Sequence, residues 1–369
     1  MKSFDVCVRG SGIVGRALAL ALARQGLSVA WQSSASPPPS GDDVRAYALN
    51  AASVALLSEL KVWQALPDDA RTAVYDMQVA GDAAGSTICF SAWQQQVREL
   101  AWIVDAAALE AELFIALRYA PHVTPTPEPV AATLLALAEG RASATRSELD
   151  VAFEVHDYGQ RAIAARLTTS QPHRGLARQW FHSPDVLALL PFDRPAHEHS
   201  YALVWSLPAE RAQALLAQDA ANFEAELMAA TGGAAGPLTL ASQRAAWPLS
   251  LARAERVAGP GWVLLGDAAH LVHPLAGQGL NLGLADVATL SRVIAARESW
   301  RGLGDERLLD RYARERSAPT AAMAQMTDGL LRLFAHPSPW AKELRNRGLT
   351  LVDTLSPLKR WLTGRALGL

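Results

Sequence analysis

Residues 4–31 of the 369-residue chain read FDVCVRGSGIVGRALALALARQGLSVAW, and this stretch predicts the fold. An apolar run, predicted as a buried strand, is followed by a glycine-rich turn and by a helix of alternating Ala and Leu. Gly26 stands where a left-handed residue would end that helix, and a second strand is predicted over 27–31. A strand, turn, helix and strand in this order make one βαβ unit of a parallel sheet.

The turn of this unit contains Gly10, Gly12 and Gly15 in the spacing Gly-x-Gly-x-x-Gly. The first glycine permits a tight turn, the second lets a pyrophosphate approach the backbone, and the third lets helix and strand pack closely. Free N–H groups at the start of the helix attract phosphate. The turn therefore predicts a dinucleotide site. The second strand ends at Gln32 rather than at the usual acidic residue, so we expect modestly weaker binding of a ribose hydroxyl.

A second glycine-rich stretch lies at 261–286 and reads GWVLLGDAAHLVHPLAGQGLNLGLAD. A short apolar run, predicted as a strand, ends at Asp267, whose carboxylate is expected near the phosphate end of a nucleotide bound over the first unit. A loop containing Pro274 and Gly277 follows. A helix is predicted from about Gly279, and its free N–H groups would point into the same crevice.

Taken together, the two stretches resemble the class A flavoprotein monooxygenases, most closely the hydroxylases of ubiquinone biosynthesis. The similarity covers nearly the whole chain and is most specific in the Gly-Asp pair and in the Pro-x-x-Gly-Gln-Gly-x-Asn loop that ends at Asn281. Segments around Arg45, at 101–105 and at 344–353 also match. The resemblance implies an α/β fold, in which a Rossmann-like, glutathione-reductase-type FAD-binding domain carries an inserted β-sheet substrate domain and a helical C-terminus.

This pattern divides the FAD-binding domain into three pieces and the substrate domain into two. The expected ranges are 1–75, 98–150 and 253–325 for the FAD-binding domain, 76–97 and 151–252 for the substrate domain, and 326–369 for the C-terminal helical segment. Glu139 and Gly140 stand where the family has Asp-Gly, and little strand sequence precedes them, so a shortened accessory sheet is expected in 98–150. Four prolines between Pro121 and Pro129 predict a break in regular structure.

The resemblance also implies an activity, in which NAD(P)H reduces FAD and a flavin C4a-hydroperoxide hydroxylates an aromatic ring. The implied substrate is an apolar polyprenylated phenol or benzoquinol of ubiquinone biosynthesis. Pro274 and Gly277 are expected beside the isoalloxazine ring, and apolar side chains of the inserted sheet, such as Trp205, are expected to exclude water. No side chain is predicted as an essential acid or base. The implied cofactor contacts are Gly10, Gly12, Gly15, Gln32, Arg45, Asp267, Gly277, Gly279, Leu280 and Asn281.

Two other functions remain open at this point. The departures at Gln32 and Glu139 would suit an accessory protein of a biosynthetic complex that keeps the flavin-binding fold but has weak or no catalysis. Another flavin oxidoreductase of this fold, such as a halogenase or a reductase, is the second alternative, although the halogenase signature Trp-x-Trp-x-Ile-Pro is absent. The sequence leaves open the ring position, the prenyl length, the choice of NADH or NADPH and the oligomeric state.

Composition excludes several classes of protein. The net charge of −2 gives no attraction to nucleic acid, and two cysteines allow no disulfide framework, which favours the cytoplasm. Asp267, His270 and His273 recur every third residue, but the surrounding glycines explain Asp267 as a flavin contact, so no metal is expected.

The chain contains no uncharged apolar run of transmembrane length. Residues 340–369 carry six basic and two acidic side chains among several Trp and Leu. They are expected either to cover the core as a helical hairpin or to contact another enzyme or the inner face of the membrane.

Overall fold

The computed structural model describes residues 4–32, 43–81, 87–272 and 278–335. A six-stranded sheet forms the first layer, and its strands are β1 (Phe4–Arg9), β2 (Val29–Gln32), β8 (Val123–Thr126), β9 (Ala132–Leu137), β16 (Ala258–Gly259) and β17 (Trp262–Leu264). The order across the sheet is β16–β17–β9–β1–β2–β8, and every neighbouring pair except β16–β17 is parallel. The βαβ unit predicted at the N-terminus is thus confirmed at the centre of a parallel sheet.

Within the described ranges, a second sheet has nine strands and a third has three. The nine are β5 (Asp76–Ala80), β6 (Thr87–Ser91), β10 (Phe153–Thr169), β11 (Leu176–His182), β12 (Asp185–Phe192), β13 (Ser200–Pro208), β14 (Leu238–Leu240), β15 (Ala245–Ala254) and β18 (His270–Leu271). Their order is β18–β15–β10–β13–β12–β11–β5–β6, with β14 paired to β10. The small sheet is antiparallel, in the order β3 (Ala46–Leu49), β7 (Ala101–Asp105) and β4 (Arg71–Val74).

Nine helices accompany the sheets in the described part of the chain. They are α1 (Ile13–Ala23), α2 (Ala51–Glu59), α3 (Ala92–Gln95), α4 (Ala106–Arg118), α5 (Ala144–Glu148), α6 (Ala209–Ala217), α7 (Ala220–Thr231), α8 (Gln278–Ala295) and α9 (Glu306–Ala335). Short 3₁₀ turns lie at Trp63–Ala65, Asp68–Ala70 and Gly266–Ala268. Of these helices, none is long and apolar enough to cross a membrane.

Local sequence explains where the helices begin and end. Asn50 accepts a hydrogen bond from the Ser53 backbone N–H at the start of α2, and Asp105 does the same for α4, which satisfies amides that the first helical turn leaves free. Gly26 has a φ of +80° and turns the chain after α1. The apolar stripe of α4 is buried against α1 and the parallel sheet, in a core that also includes α8.

The proline-rich stretch is more ordered than expected. The prediction that residues 121–129 break regular structure is wrong in part, because β8 includes Pro125 and pairs in parallel with β2. This strand lies at the edge of the sheet, where proline is tolerated because only one side of the strand needs to supply hydrogen bonds. Residues 127–131 alone join β8 to β9, and this is the place where the sequence predicts a shortened accessory sheet.

The strands of ranges 76–97 and 151–252 all belong to the nine-stranded sheet. One strand departs from the expected division, since β18 comes from range 253–325 but pairs with β15 of the large sheet. The chain therefore passes from the parallel sheet to the large sheet directly after the turn that contains Asp267. This crossing places that turn at the boundary between the two sheets.

Helices α1 and α8 approach closely at Gly283. A Cβ atom at this position would lie 2.6 Å from Cγ2 of Val14, and a branched valine cannot move aside easily. We expect Gly283→Ala to lower the free energy of unfolding by about 1–3 kcal/mol, because the added methyl group overpacks the core. Urea denaturation of the apoprotein measures this change. Val14→Ala in the same chain should recover most of the loss, and Gly302→Ala, which meets no atom within 4 Å, is the matched control. Equal midpoints for Gly283→Ala and the parent would contradict this packing.

Candidate functional site

The first glycine turn leaves an open space above the start of α1. A Cβ atom at Gly10 would lie 2.1 Å from the carbonyl oxygen of Ala138, and one at Gly15 would lie 2.5 Å from the Gly10 oxygen, so both positions require glycine for packing. At Gly12, by contrast, no atom lies within 4 Å of the position that a Cβ atom would take. Gly12 is the N-cap of α1 and offers no side chain to the first helical amides. These amides face a space that a phosphate group could fill.

Gln32 lies next to this turn, at the carboxyl end of β2. Its backbone oxygen accepts a hydrogen bond from the Gly10 N–H at 3.2 Å. Its side-chain Oε1 is buried and has no hydrogen-bond partner among the described residues. A buried amide oxygen without a donor is uncommon in folded proteins. A hydroxyl group of a bound ribose could supply the missing donor.

Arg45 lies just before β3 and is held by two carboxylates. Its Nε is 2.8 Å from Oδ1 of Asp43, and its Nη2 is 3.2 Å from Oε1 of Glu110 on α4. The hydrogen bonds that Arg45 donates to Asp43 raise the pKa of the guanidinium group, which therefore stays charged while about a third of the side chain remains exposed. Glu110 also lies 3.5 Å from Nη1 of Arg16 in α1. The sequence carries no signal for this role of Glu110, which appears there only as a polar position of α4.

Asp267 occupies the 3₁₀ turn at the boundary between the sheets. Its side chain is exposed to solvent within a recess, and the surrounding protein raises the pKa of its carboxyl group by desolvation, while His270 opposes the shift. Gly266, the residue before it, has a φ of +57° and lies against Val14. On the other side of the turn, Nη1 of Arg146 donates to the Ala268 oxygen at 3.0 Å. The turn is thus held firmly while its carboxylate remains free to meet a ligand.

A buried cluster lies behind this turn. Asp286 on α8 accepts hydrogen bonds from the Gly266 N–H at 2.9 Å and from Nε of Arg316 on α9 at 2.6 Å, and Nε2 of His270 is 2.8 Å away. Burial acts against a charged His270 ring, but the Asp286 carboxylate outweighs it and raises the pKa of His270. His270 recurs three residues after Asp267, but its side chain forms an ion pair with Asp286. Sequence reasoning placed Asp286 inside the second glycine-rich stretch without giving it a role, and it missed Arg316.

The start of α8 lies beside β3 and α2. The Asn281 side chain is buried there: its Nδ2 donates to the Ala48 oxygen at 2.8 Å, and its Oδ1 accepts from the Ser53 hydroxyl at 2.7 Å and from the Asn50 N–H at 3.0 Å. These bonds hold the start of α8 against β3 and α2, and the amides free for a ligand at this helix end are those of the residues before Asn281, such as Gly279 and Leu280. Pro274, Gly277 and His273 lie outside the described residues.

Glu139 folds back onto its own loop. Its carboxylate accepts hydrogen bonds from the hydroxyl groups of Ser143 at 2.6 Å and Thr145 at 2.9 Å. Thr145 in turn accepts a bond at 2.9 Å from Nη1 of Arg9, at the end of β1. The Glu139 carboxylate therefore ties the loop after β9 to the end of β1, next to the first glycine turn.

Trp205 does not line the flavin side of the large sheet. Residues on β10, β12 and β13 alternate between the two faces. Arg166 points toward the FAD-binding unit, since its Nη2 donates to the Arg45 oxygen at 2.7 Å, and Ala202 is its cross-strand neighbour. Trp205 lies on the opposite face and packs against Phe223 of α7. The expectation that Trp205 excludes water from the site is therefore wrong.

The arrangement fits FAD, a dinucleotide with a pyrophosphate and a ribose. The open position above Gly12 suits the pyrophosphate, and the unpartnered oxygen of Gln32 suits the ribose. The Asp267 turn lies at the same end of the parallel sheet, where ligands of open α/β sheets bind. These features together define a dinucleotide-binding α/β protein, with its candidate FAD site at the carboxyl ends of the strands.

Comparison with known proteins supports this class. The family described as FAD binding domain matches residues 117–327. Ubiquinone hydroxylase UbiL of Rhodospirillum rubrum is 30% identical over 392 aligned positions, which cover 100% of this chain and 90% of that protein. The 3-demethoxyubiquinol 3-hydroxylase of Escherichia coli is also 30% identical, over 99% of this chain and 98% of that protein.

Solved structures share the fold at lower identity. The probable FAD-dependent monooxygenase PqsL of Pseudomonas aeruginosa superposes with a TM-score of 0.76 at 19% identity, over 95% of this chain and 100% of its own. HpxO of Klebsiella pneumoniae, solved with FAD and uric acid, gives a TM-score of 0.72 at 16% identity, over 96% of each chain. The chain belongs to the class A FAD-dependent monooxygenases, in the family of the ubiquinone-biosynthesis hydroxylases.

Proposed function

We propose that this enzyme hydroxylates the aromatic ring of a polyprenylated phenol or benzoquinol, with NAD(P)H as the electron donor. The observation that carries the proposal is the 30% identity to two hydroxylases over essentially the whole of all three chains. FAD, when bound and reduced, activates O₂ for transfer of one oxygen atom. The protein's own residues hold the cofactor, orient it and keep water from the reacting ring.

Each part of the cofactor has a proposed partner. The first amides of α1, above Gly12, would bind the pyrophosphate, Gln32 would contact a ribose, Arg45 would contact the flavin, and Asp267 would accept hydrogen bonds from the ribityl chain. The backbone N–H groups of Gly279 and Leu280 at the start of α8 would face the flavin, where a helix N-terminus stabilises negative charge, and the Asn281 side chain would keep that helix end in place. Pro274 and Gly277 would lie beside the ring. The match of the Gly-Asp turn and of the loop after it to the family motifs supports this assignment.

An apolar substrate also suits a peripheral location. Residues 340–369 combine six basic side chains with several Trp and Leu residues. We propose that this segment contacts an anionic membrane surface or a neighbouring biosynthetic enzyme, because basic and aromatic side chains together favour the lipid–water interface.

The test begins with the visible absorption spectrum of the purified protein, recorded before and after FAD is added and the sample is desalted. The FAD-loaded enzyme is then given NADH or NADPH with prenylphenols of increasing chain length. We expect a product one oxygen atom heavier and pyridine nucleotide oxidation that matches its yield. A flavin-loaded enzyme that oxidises NAD(P)H but forms only hydrogen peroxide with every prenylphenol would contradict the proposed substrate class.

A further inference from the structure

One carboxylate links helix α9 to the turn that carries Asp267. The Oδ1 atom of Asp286 accepts from Nε of Arg316 on α9 at 2.6 Å, and the Oδ2 atom accepts from the Gly266 N–H at 2.9 Å. Nη2 of Arg316 also donates to the Leu282 oxygen of α8 at 3.3 Å. A single side chain therefore spans two helices and the backbone of the turn.

The cluster is deeply buried. Asp286 is 0% exposed and Arg316 is 8% exposed. Removing such charges from water is unfavourable, and well-packed apolar side chains would often be as stable or more so. What apolar side chains could not supply is a hydrogen-bond acceptor for the Gly266 amide, in a turn whose φ of +57° is left-handed. The geometry of the turn therefore depends on the Asp286 carboxylate, which Nε of Arg316 and Nε2 of His270 hold in place.

We propose that Arg316 and Asp286 are positioning residues, which fix the Gly266 turn so that Asp267 is presented to FAD. The docking of α9 and the occupation of the flavin site are then thermodynamically coupled, and each must stabilise the other by the same factor. The inference rests on the proposed contact between Asp267 and FAD. It does not depend on which substrate the enzyme hydroxylates.

The primary test is the variant Arg316→Met, which keeps an unbranched side chain of similar length but removes the donor. We expect the dissociation constant for FAD to rise roughly 5- to 150-fold, the usual range of such coupling. Hydrogen exchange of the amides in 264–271 should speed up in the apoprotein. In the parent, FAD should slow exchange across 306–320, and this protection should disappear in the variant.

A matched control is available on the same helix. Arg311 pairs with Glu298 at the surface and makes no contact with the Gly266 turn among the bonds of the described residues. Arg311→Met should leave the dissociation constant for FAD within about twofold of the parent, because exposed ion pairs contribute little.

A triple variant separates positioning from stability. His270→Leu, Asp286→Leu and Arg316→Met together replace all three buried polar members of the cluster, since Nε2 of His270 also lies 2.8 Å from Asp286, so the free energy of unfolding should recover at least to that of Arg316→Met. The Gly266 amide, whose acceptor Arg316→Met leaves in place, would lose it here, and FAD affinity should be low. If the single variant does not fold, this triple variant carries the test. Parent-like FAD affinity in the triple variant would overturn the proposal.

The proposal assumes a contact between Asp267 and FAD and a link from α9 to the Gly266 turn, and different results would overturn each of them. Full FAD affinity in Asp267→Ala would overturn the contact between Asp267 and FAD, and the positioning role with it. Weakened affinity in Asp267→Ala together with unchanged exchange of 264–271 in Arg316→Met would leave the contact in place and overturn only the link from α9.

Discussion

Gly12→Ala is expected to leave the apoprotein folded and to remove most of its bound FAD. Gly12 has φ and ψ of −78° and 178°, which any residue adopts, and no atom lies within 4 Å of an added Cβ. The methyl group would instead occupy the space above the amides of α1, where we propose the pyrophosphate binds. One crowding methyl group in a tight site costs about 1–3 kcal/mol, so the dissociation constant should rise about 5- to 150-fold. Fluorescence titration with FAD measures the affinity, and urea denaturation of the apoprotein measures the stability.

The neighbouring glycine provides the contrasting control. Gly10 has a φ of +137°, and a Cβ atom there would lie 2.1 Å from the backbone oxygen of Ala138. Gly10→Ala should destabilise the apoprotein itself by about 3 kcal/mol or more, because strain and overpacking add. Gly10→Ala should therefore lower the stability of the apoprotein, whereas Gly12→Ala, two residues away, should lower its affinity for FAD. Parent-like FAD affinity in Gly12→Ala would show that the pyrophosphate does not lie above this turn.

Much of the parallel sheet could be predicted because its signals are local. The βαβ unit at the N-terminus combines a strand, a glycine turn and an apolar helix within one short stretch, and Asn50 and Asp105 cap their helices three residues away from the amides they bind. The error at Pro125 has a different origin. Whether proline fits a strand depends on whether that strand is at an edge, and strand order is a property of the whole sheet.

In the candidate site, too, local features could be predicted and contacts between distant residues could not. Glycine spacing predicts a nucleotide turn, since the backbone geometry it permits is set within six residues. The partners of Asp286 could not be predicted, because Gly266 and Arg316 lie 20 and 30 residues away from it in sequence. The face of the large sheet on which Trp205 lies could not be predicted either. Alternation along β13 defines two faces, but only the packing of α6 and α7 on one of them decides which face meets the flavin.

Asp267→Ala is expected to release FAD without unfolding the chain. The carboxylate is exposed in its recess, so its loss should change the stability of the apoprotein little. Hydrogen bonds to a charged acceptor contribute about 1.5–3 kcal/mol each, which corresponds to a rise in the dissociation constant of about 10- to 100-fold. Asp267→Asn keeps one acceptor oxygen and should lose less. Flavin content after desalting and the fluorescence titration measure both variants.

The pH dependence of FAD binding offers an independent check on the same contact. Desolvation raises the pKa of Asp267 above its ordinary value, and only the ionised carboxylate accepts hydrogen bonds on both oxygens. Affinity should therefore be greatest above that pKa and should fall as the pH decreases through it, beginning at a higher pH than for an ordinary aspartate. Asp267→Asn cannot titrate and should lack this decline. If the parent and Asp267→Asn instead lose FAD in parallel as the pH falls, the group that titrates is not Asp267. Binding of the flavin would then not depend on a charged carboxylate in the Gly266 turn, which Asp286 supports.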